Sequence, residues 1–222
     1  MNVEAVIFDL DGVIVSTDEL HYFAWKKMAD NESIPFDRTI NHRLRGVSRM
    51  ESLNIILEQS TKSYTDEEKN QLASYKNDIY VELLSSLTHE SILPGVIDVL
   101  KELKKRHIKL AIGSSSKNTR LILERIGLLN TFDAIADGTM ITHSKPNPEV
   151  FLKAAQLIEV IPKHAIVVED AHSGIVAAKQ AGMIACAISD AKSSDYADYK
   201  LNHIDELITI IDRINTLSDK AI

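Results

Sequence analysis

Asp9 and Asp11 stand one leucine apart in Asp9-Leu10-Asp11-Gly12, and three other groups along the chain could do chemistry with them. These are Ser114-Ser115-Ser116, Lys145 ahead of Pro146, and Glu169-Asp170. Carboxylates from separate segments can converge on one hard cation, and magnesium takes oxygen ligands while keeping several waters. Hydroxyls, loop amides and an ammonium beside them supply the donors that a phosphoryl group needs. A carboxylate attacking phosphorus gains from a metal that screens the repulsion between two anions. Two aspartates so close in sequence suit two roles, one attacking and the other moving a proton. The set points to magnesium-assisted phosphoryl transfer.

Each piece alone has a plainer explanation. Asp-Leu-Asp-Gly could be a turn. The serine run and Glu169-Asp170 could be helix caps, and Lys145 a solvated loop lysine. Their weight comes from occurring together, at places where strands end.

Val3 to Phe8 is a short apolar, β-rich run that stops at Asp9, as a buried strand entering a functional loop would. Similar runs lie at Ile108 to Ile112, Ala165 to Val168 and Met183 to Ile188, with a weaker one at Phe132 to Ala136. Helical patterns separate them at Val96 to Arg106, Lys117 to Ile126, Pro148 to Ile158 and Gly174 to Ala181. This alternation predicts an α/β fold with a parallel, Rossmann-like sheet, and such sheets bind ligands beyond the carboxyl ends of their strands. All the pieces above then fall on one sheet edge.

Residues 16 to 88 break the alternation. Capping-box patterns at Ser16 with Glu19, Ser48 with Glu51 and Thr65 with Glu68 mark helix starts, and no convincing strand lies between them. The expected organisation is a catalytic core of residues 1–15 and 89–222 with a helical cap domain, 16–88, inserted after the first strand. An insertion at that point can act as a lid.

The net charge of −7 and pI near 5.6 exclude a general nucleic-acid binder, which would carry a basic surface. No apolar run approaches the ~20 residues needed to span a bilayer. The N-terminus has no basic start or small-residue cleavage site. A cytoplasmic protein, acting as a monomer without membrane or nucleic-acid partners, is expected. Cys186 is the single cysteine, which rules out an internal disulfide, and its apolar run marks an inert core thiol. His42, His89, His107, His143, His164, His172 and His203 show no metal-ligand spacing, and the charged stretch from Thr65 to Asn70 reads as an exposed helix start.

The segments Phe8 to Val13 (FDLDGV), the serine loop, Ser144 to Pro146 (SKP) and Val167 to Ile175 (VVEDAHSGI) resemble the four motifs of the haloacid dehalogenase superfamily. Within it the chain is similar to the β-phosphoglucomutases along nearly its whole length. His21, Trp25, Arg45 to Arg49 (RGVSR) and Lys76-Asn77-Asp78 in the insertion carry that likeness, with Ser114 to Asn118 (SSSKN) and Phe132 to Asp137 (FDAIAD) in the core. The resemblance implies a phosphomutase interconverting β-glucose 1-phosphate and glucose 6-phosphate, primed by β-glucose 1,6-bisphosphate. Asp9 would be nucleophile and magnesium ligand, and Asp11 the general acid/base, lending its main-chain carbonyl to the metal. Glu169 and Asp170 would complete the metal site, and Ser114 and Lys145 would hold the transferring phosphoryl. Arg49 would grip the other phosphate. Gly46, Val47 and His21 would contact the sugar, and Ser115, Ser116, Lys117 and Asn118 would line the same pocket with Lys76 near it. Trp25 packs the cap or lines that pocket. The resemblance also implies a cis Lys145-Pro146 bond.

Two positions depart from the family pattern. Arg45 stands where lysine is expected, a planar fork in place of a point charge. Ser16 stands where relatives often carry aspartate. A sugar-phosphate phosphatase of the same superfamily shares the chemistry at Asp9 and is the rival reading. A non-catalytic relative would have lost one of Asp9, Asp11, Lys145 or Asp170, and the chain keeps all of them.

Overall fold

In the computed structural model of this protein, residues 2–44 and 47–219 are described. The chain divides into two compact units, one of Met1–Ser16 with Thr88–Ile222 and the other of Thr17–Leu87.

The first unit is built on a parallel sheet. Its strands are β1 (Ala5–Phe8), β2 (Lys109–Gly113), β3 (Ala134–Ala136), β4 (Ala165–Glu169), β5 (Ile184–Ala187) and β6 (Tyr199–Lys200), in the order β3-β2-β1-β4-β5-β6. The first strand, Ala-Val-Ile-Phe, is buried along its whole length, because a central parallel strand is covered on both faces. It pairs with β2 on one side and β4 on the other, with Phe8 opposite both Ile112 and Val168. That shared register brings the residues after Phe8, Ile112 and Val168 out at one sheet edge.

Helices of the second unit are α1 (Asp18–Asn31), α2 (Arg38–His42), α3 (Arg49–Leu57) and α4 (Asp66–Leu83). Those of the first are α5 (Val96–Lys105), α6 (Thr119–Arg125), α7 (Glu149–Leu157), α8 (His172–Gln180) and α9 (Glu206–Asp219). Helix α5 shows the pattern that covers a sheet: Val96, Val99, Leu100 and Leu103 are buried at i, i+3, i+4 and i+7. Ala154, Ala155, Ala177 and Ala178 of α7 and α8 pack into the same core as Ile7 and Val167, small side chains that allow helix and sheet backbones to approach.

The second unit has its own core of Trp25, Met28, Ala29, Phe36, Leu53, Ile56 and Ala73. The capping box at Thr65 and Glu68 is formed in both directions, and Ser48 accepts the Glu51 amide at the start of α3. Ser16 does not start α1 as its spacing suggests. The helix begins at Asp18 behind Thr17, whose side chain makes no cap bond and instead accepts a hydrogen bond from the Tyr80 hydroxyl. Helix α6 begins two residues later than expected, because the Asn118 amide is taken by the Ser116 hydroxyl. Strand β6 and helix α9 were not anticipated. The latter buries Leu207, Ile211 and Ile214 at i, i+4 and i+7. Among the described residues no helix is long and apolar enough to cross a membrane.

Candidate active site

The edge where β1, β2 and β4 end gathers the acids named above. Asp9 follows β1 directly, its amide bonded to the Val168 carbonyl at 3.0 Å, so that β4 holds it in place. Glu169 is the last residue of β4, and Asp170 follows it. Carboxylate oxygens of Asp9, Glu169 and Asp170 all lie within 4.8 Å of one another. Two glycines make this crowding possible. A Cβ on Gly12 would lie 2.1 Å from Asp170 Oδ2, and one on Gly174 would lie 1.8 Å from Glu169 Oε1. Gly12 also sits at φ +79°, in the left-handed region that L side chains avoid.

Lys145 reaches into this cluster from the loop ahead of α7, where the Lys145-Pro146 bond is cis. Its ammonium donates to Asp9 Oδ1 at 2.5 Å and to Glu169 Oε1 at 2.6 Å. The ring of Phe151 lies 4.5 Å beneath the same ammonium. Burial alone would lower the lysine pKa, but the charges of Asp9 and Glu169 and their hydrogen bonds outweigh it, and the group is held above its ordinary range. The acids outnumber this cation. Burial raises Glu169, with Lys145 opposing and Asp9 adding to the rise. Asp170 is pushed up to about 9 by burial first, then by Glu169, Asp9 and Asp11.

Ser114 emerges buried at the end of β2, its amide bonded to the Ala136 carbonyl and its hydroxyl accepting from the Ser116 amide. Ser115 and Ser116 are half-buried, Lys117 is exposed, and Asn118 leads into α6. Sequence reasoning assigned no role to Asp137 or Arg120, an ion pair between the residue after β3 and the start of α6. Asp137 is 1% exposed, accepts the Thr139 amide, and lies 3.2 Å from Nε of Arg120, the second residue of α6. Gly138 donates its amide to the Ser116 carbonyl. Asp137 closes the quoted Phe132 to Asp137 segment, but nothing in the sequence tied it to the serine loop, and Arg120 carries no motif signal.

The remaining candidates lie in the helical unit. Arg49 is the half-buried first residue of α3, and Val47 precedes it. Trp25 packs in the helical core, 3% exposed, with the Lys76 ammonium over its ring. His21 and Lys76 meet between α1 and α4. Arg45 and Gly46 lie outside the described residues. Cys186 is fully buried, and burial raises its thiol above the usual range, as an inert core thiol requires.

This arrangement can bind an electrophilic phosphorus between a carboxylate and hydroxyl, amide and ammonium donors. Its parentage follows from comparison with known proteins. The profile of the haloacid dehalogenase-like hydrolases matches residues 6–188. The chain belongs to that family. Among the similar relatives, a β-phosphoglucomutase of Bacillus subtilis is 43% identical over 92% of each chain. A phosphorylated carbohydrates phosphatase of Thermotoga maritima is 33% identical over 82% of each. The crystal structure of a Clostridium difficile β-phosphoglucomutase superposes with a TM-score of 0.88 at 36% identity, covering 96% of this chain and 99% of that one. As a member of the haloacid dehalogenase-like family the protein is an enzyme, a phosphotransferase.

Proposed function

We propose that the protein is a phosphomutase that interconverts β-glucose 1-phosphate and glucose 6-phosphate through a phosphorylated Asp9. The Lys145 bridge between Asp9 and Glu169 carries the phosphoryl chemistry in this reading. The likeness to β-phosphoglucomutases carries the choice of substrate.

In the first transfer a hydroxyl oxygen of the sugar attacks phosphorus on phosphorylated Asp9. The bond from phosphorus to the aspartate oxygen breaks, and the hydroxyl proton passes to the Asp11 carboxylate. The product is β-glucose 1,6-bisphosphate, which also serves as primer. In the second transfer an Asp9 oxygen attacks the phosphorus at C1. The sugar oxygen leaves and recovers the proton from Asp11, releasing glucose 6-phosphate. Ser114 and Lys145 hold the moving phosphoryl group. Arg49 holds the other phosphate by a fork of hydrogen bonds. In this reading His21, Val47 and Gly46 contact the sugar, with Lys76, Arg45 and Trp25 supporting the helical unit's share of the binding and Ser115, Ser116, Lys117 and Asn118 supplying that of the sheet unit. The Thr17–Leu87 unit acts as the cap. The enzyme would work in the cytoplasm as a monomer.

Buried carboxylates in excess over one lysine fit a divalent cation. Asp9, Glu169 and Asp170 would hold magnesium together with the Asp11 main-chain carbonyl. Bound there, the ion would neutralise charge between the attacking carboxylate and the phosphoryl oxygens.

The deciding assay supplies the protein with magnesium, β-glucose 1-phosphate and a trace of β-glucose 1,6-bisphosphate, and follows glucose 6-phosphate and free phosphate separately. The mutase reading expects glucose 6-phosphate in large excess. Free phosphate released in step with substrate loss would establish the phosphatase reading, which the Thermotoga maritima relative favours.

Metal removal gives a second test. Without metal, Asp170 keeps its proton up to about pH 9 in the folded chain, whereas an unfolded aspartate loses it near pH ~4. Between those values the folded state binds more protons, so stability falls as pH rises. Denaturation in excess chelator should therefore show a midpoint that declines across this window. Magnesium should remove the decline, and Asp170→Asn should flatten it without metal. A midpoint in chelator that is as high at pH ~9 as at pH ~5 would contradict this account of the site.

A further inference from the structure

Of the described residues from Ile141 to Glu149, Lys145 alone is buried, so a surface loop sends one side chain inward. Glu149, the first residue of α7, closes back on that loop. Its Oε1 accepts the Thr142 amide at 2.9 Å, and its Oε2 accepts the His143 amide at 2.8 Å. The Glu149 amide in turn donates to Asn147 Oδ1 at 3.0 Å, and the Asn147 amide donates to the Ser144 carbonyl at 3.1 Å. Thr142 and His143 precede Lys145 and Asn147 follows it, so these contacts bracket the lysine. Helix α7 gives them a firm base. Val150 and Phe151, its next two residues, are fully buried in the core that includes Ile7 and Val167, and the Phe151 ring lies beneath the Lys145 ammonium.

We propose that Glu149 is a positioning residue for Lys145, its carboxylate fixing the loop backbone so that the ammonium reaches Asp9 and Glu169. A lysine ammonium sits on a flexible four-carbon stem, so where it stands depends on where its backbone starts. Two neighbouring amides need two acceptors, and an ionised carboxylate supplies one oxygen to each. Hydrogen bonds to an ionised acceptor are also stronger than neutral ones. The amides of Thr142 and then His143 hold the Glu149 carboxyl below the usual carboxylate range, against the opposing effect of burial, so both oxygens are acceptors at neutral pH. A plainer role is support of α7 alone, since a negative side chain in a first helical turn is favourable. That role would not direct the two oxygens onto amides seven and six residues earlier in the chain. The inference rests on the reading that Lys145 serves phosphoryl transfer, and not on which sugar is the substrate.

Glu149→Gln keeps the shape of the side chain but has one acceptor oxygen, and its NH2 group faces an amide donor. With magnesium saturating and acetyl phosphate as the phosphoryl donor, kcat of this variant should fall roughly tenfold, less than the ~10²-fold that an ångström of misplacement can cost. KM should change by less than about threefold, because the loss lies in the transfer step. The decisive comparison is made in Lys145→Ala. There the same substitution should change turnover by less than about twofold, because residues that act through one another are not additive. Support of α7 alone predicts an equal fall in both backgrounds. That result, or a Glu149→Gln enzyme with unchanged kcat, would overturn the proposal. Amide hydrogen exchange in the wild-type protein needs no variant: Thr142 and His143 should exchange at least ~10-fold more slowly than unprotected peptide. Exchange of both at the unprotected rate would overturn it as well. Failure of the mutase reading would look different: no glucose 6-phosphate from β-glucose 1-phosphate, by an enzyme in which Glu149→Gln still slows acetyl phosphate turnover through Lys145.

Discussion

Asp9→Ala should abolish turnover, because the proposed covalent intermediate forms on that carboxylate, while the other two acids of the cluster, Glu169 and Asp170, are assigned to the metal. Glu169 is 1% exposed and bonded to Lys145 and to the Ala171 amide, so it is committed to holding the site. Asp11→Asn should behave differently. It keeps the main-chain carbonyl assigned to the metal and removes only the proton carrier, and turnover should fall by about 10²- to 10⁴-fold. Rapid-quench measurement with radiolabelled bisphosphate separates the two variants: Asp9→Ala should take up no label, and Asp11→Asn should take it up slowly. Removing Asp9 also relieves a crowd of like charges, so circular dichroism should show a folded protein. Substantial turnover by a folded Asp9→Ala enzyme would end the proposed mechanism.

Lys145→Ala carries the next largest effect. Lys145 makes two charge-assisted contacts in a site where it is 6% exposed. Loss of one preorganised donor to a reacting oxygen costs about 10²–10³ in kcat, and turnover should fall by that much with magnesium saturating. Stability should respond as well. Breaking a buried pair by removing one partner costs about 3–5 kcal/mol, because the carboxylates are left facing each other. In chelator at neutral pH the variant should unfold at a clearly lower denaturant concentration than wild type, and lowering the pH should close part of the gap as the acids protonate. A variant as active and as stable as wild type would show that the ammonium has no part in the site.

Much of the catalytic core was legible because its signals are local. A fully apolar run ending in Asp9 announces a buried parallel strand and a polar loop at its tip, and the same pattern recurs before Ser114 and Glu169. The capping box at Thr65 was readable for the same reason, since both partners lie within one turn. Ser16 misled because its spacing to Glu19 fits a cap while a residue from another helix, Tyr80, decides where Thr17 sits and hence where α1 begins. Helix α9 buries its apolar stripe in the expected spacing but follows no chemical motif, and β6 is two residues long, too short to leave a periodic signal.

The sequence by itself determined the alternating α/β order, the helical insertion, and the residue types that could transfer a phosphoryl group. It could not say that Lys145 would bridge Asp9 and Glu169, that Gly12 and Gly174 leave the space for Asp170 and Glu169 to approach, or that Asp137 and Arg120 would pair. Nor could it place Lys76 against His21, in a cage made by Trp25 and Tyr80. Those facts depend on distances between residues far apart along the chain. Charge–charge coupling and the cost of leaving water are set by such distances and by burial, so it is the tertiary structure that decides which of these groups is charged, which is neutral and which way each proton points.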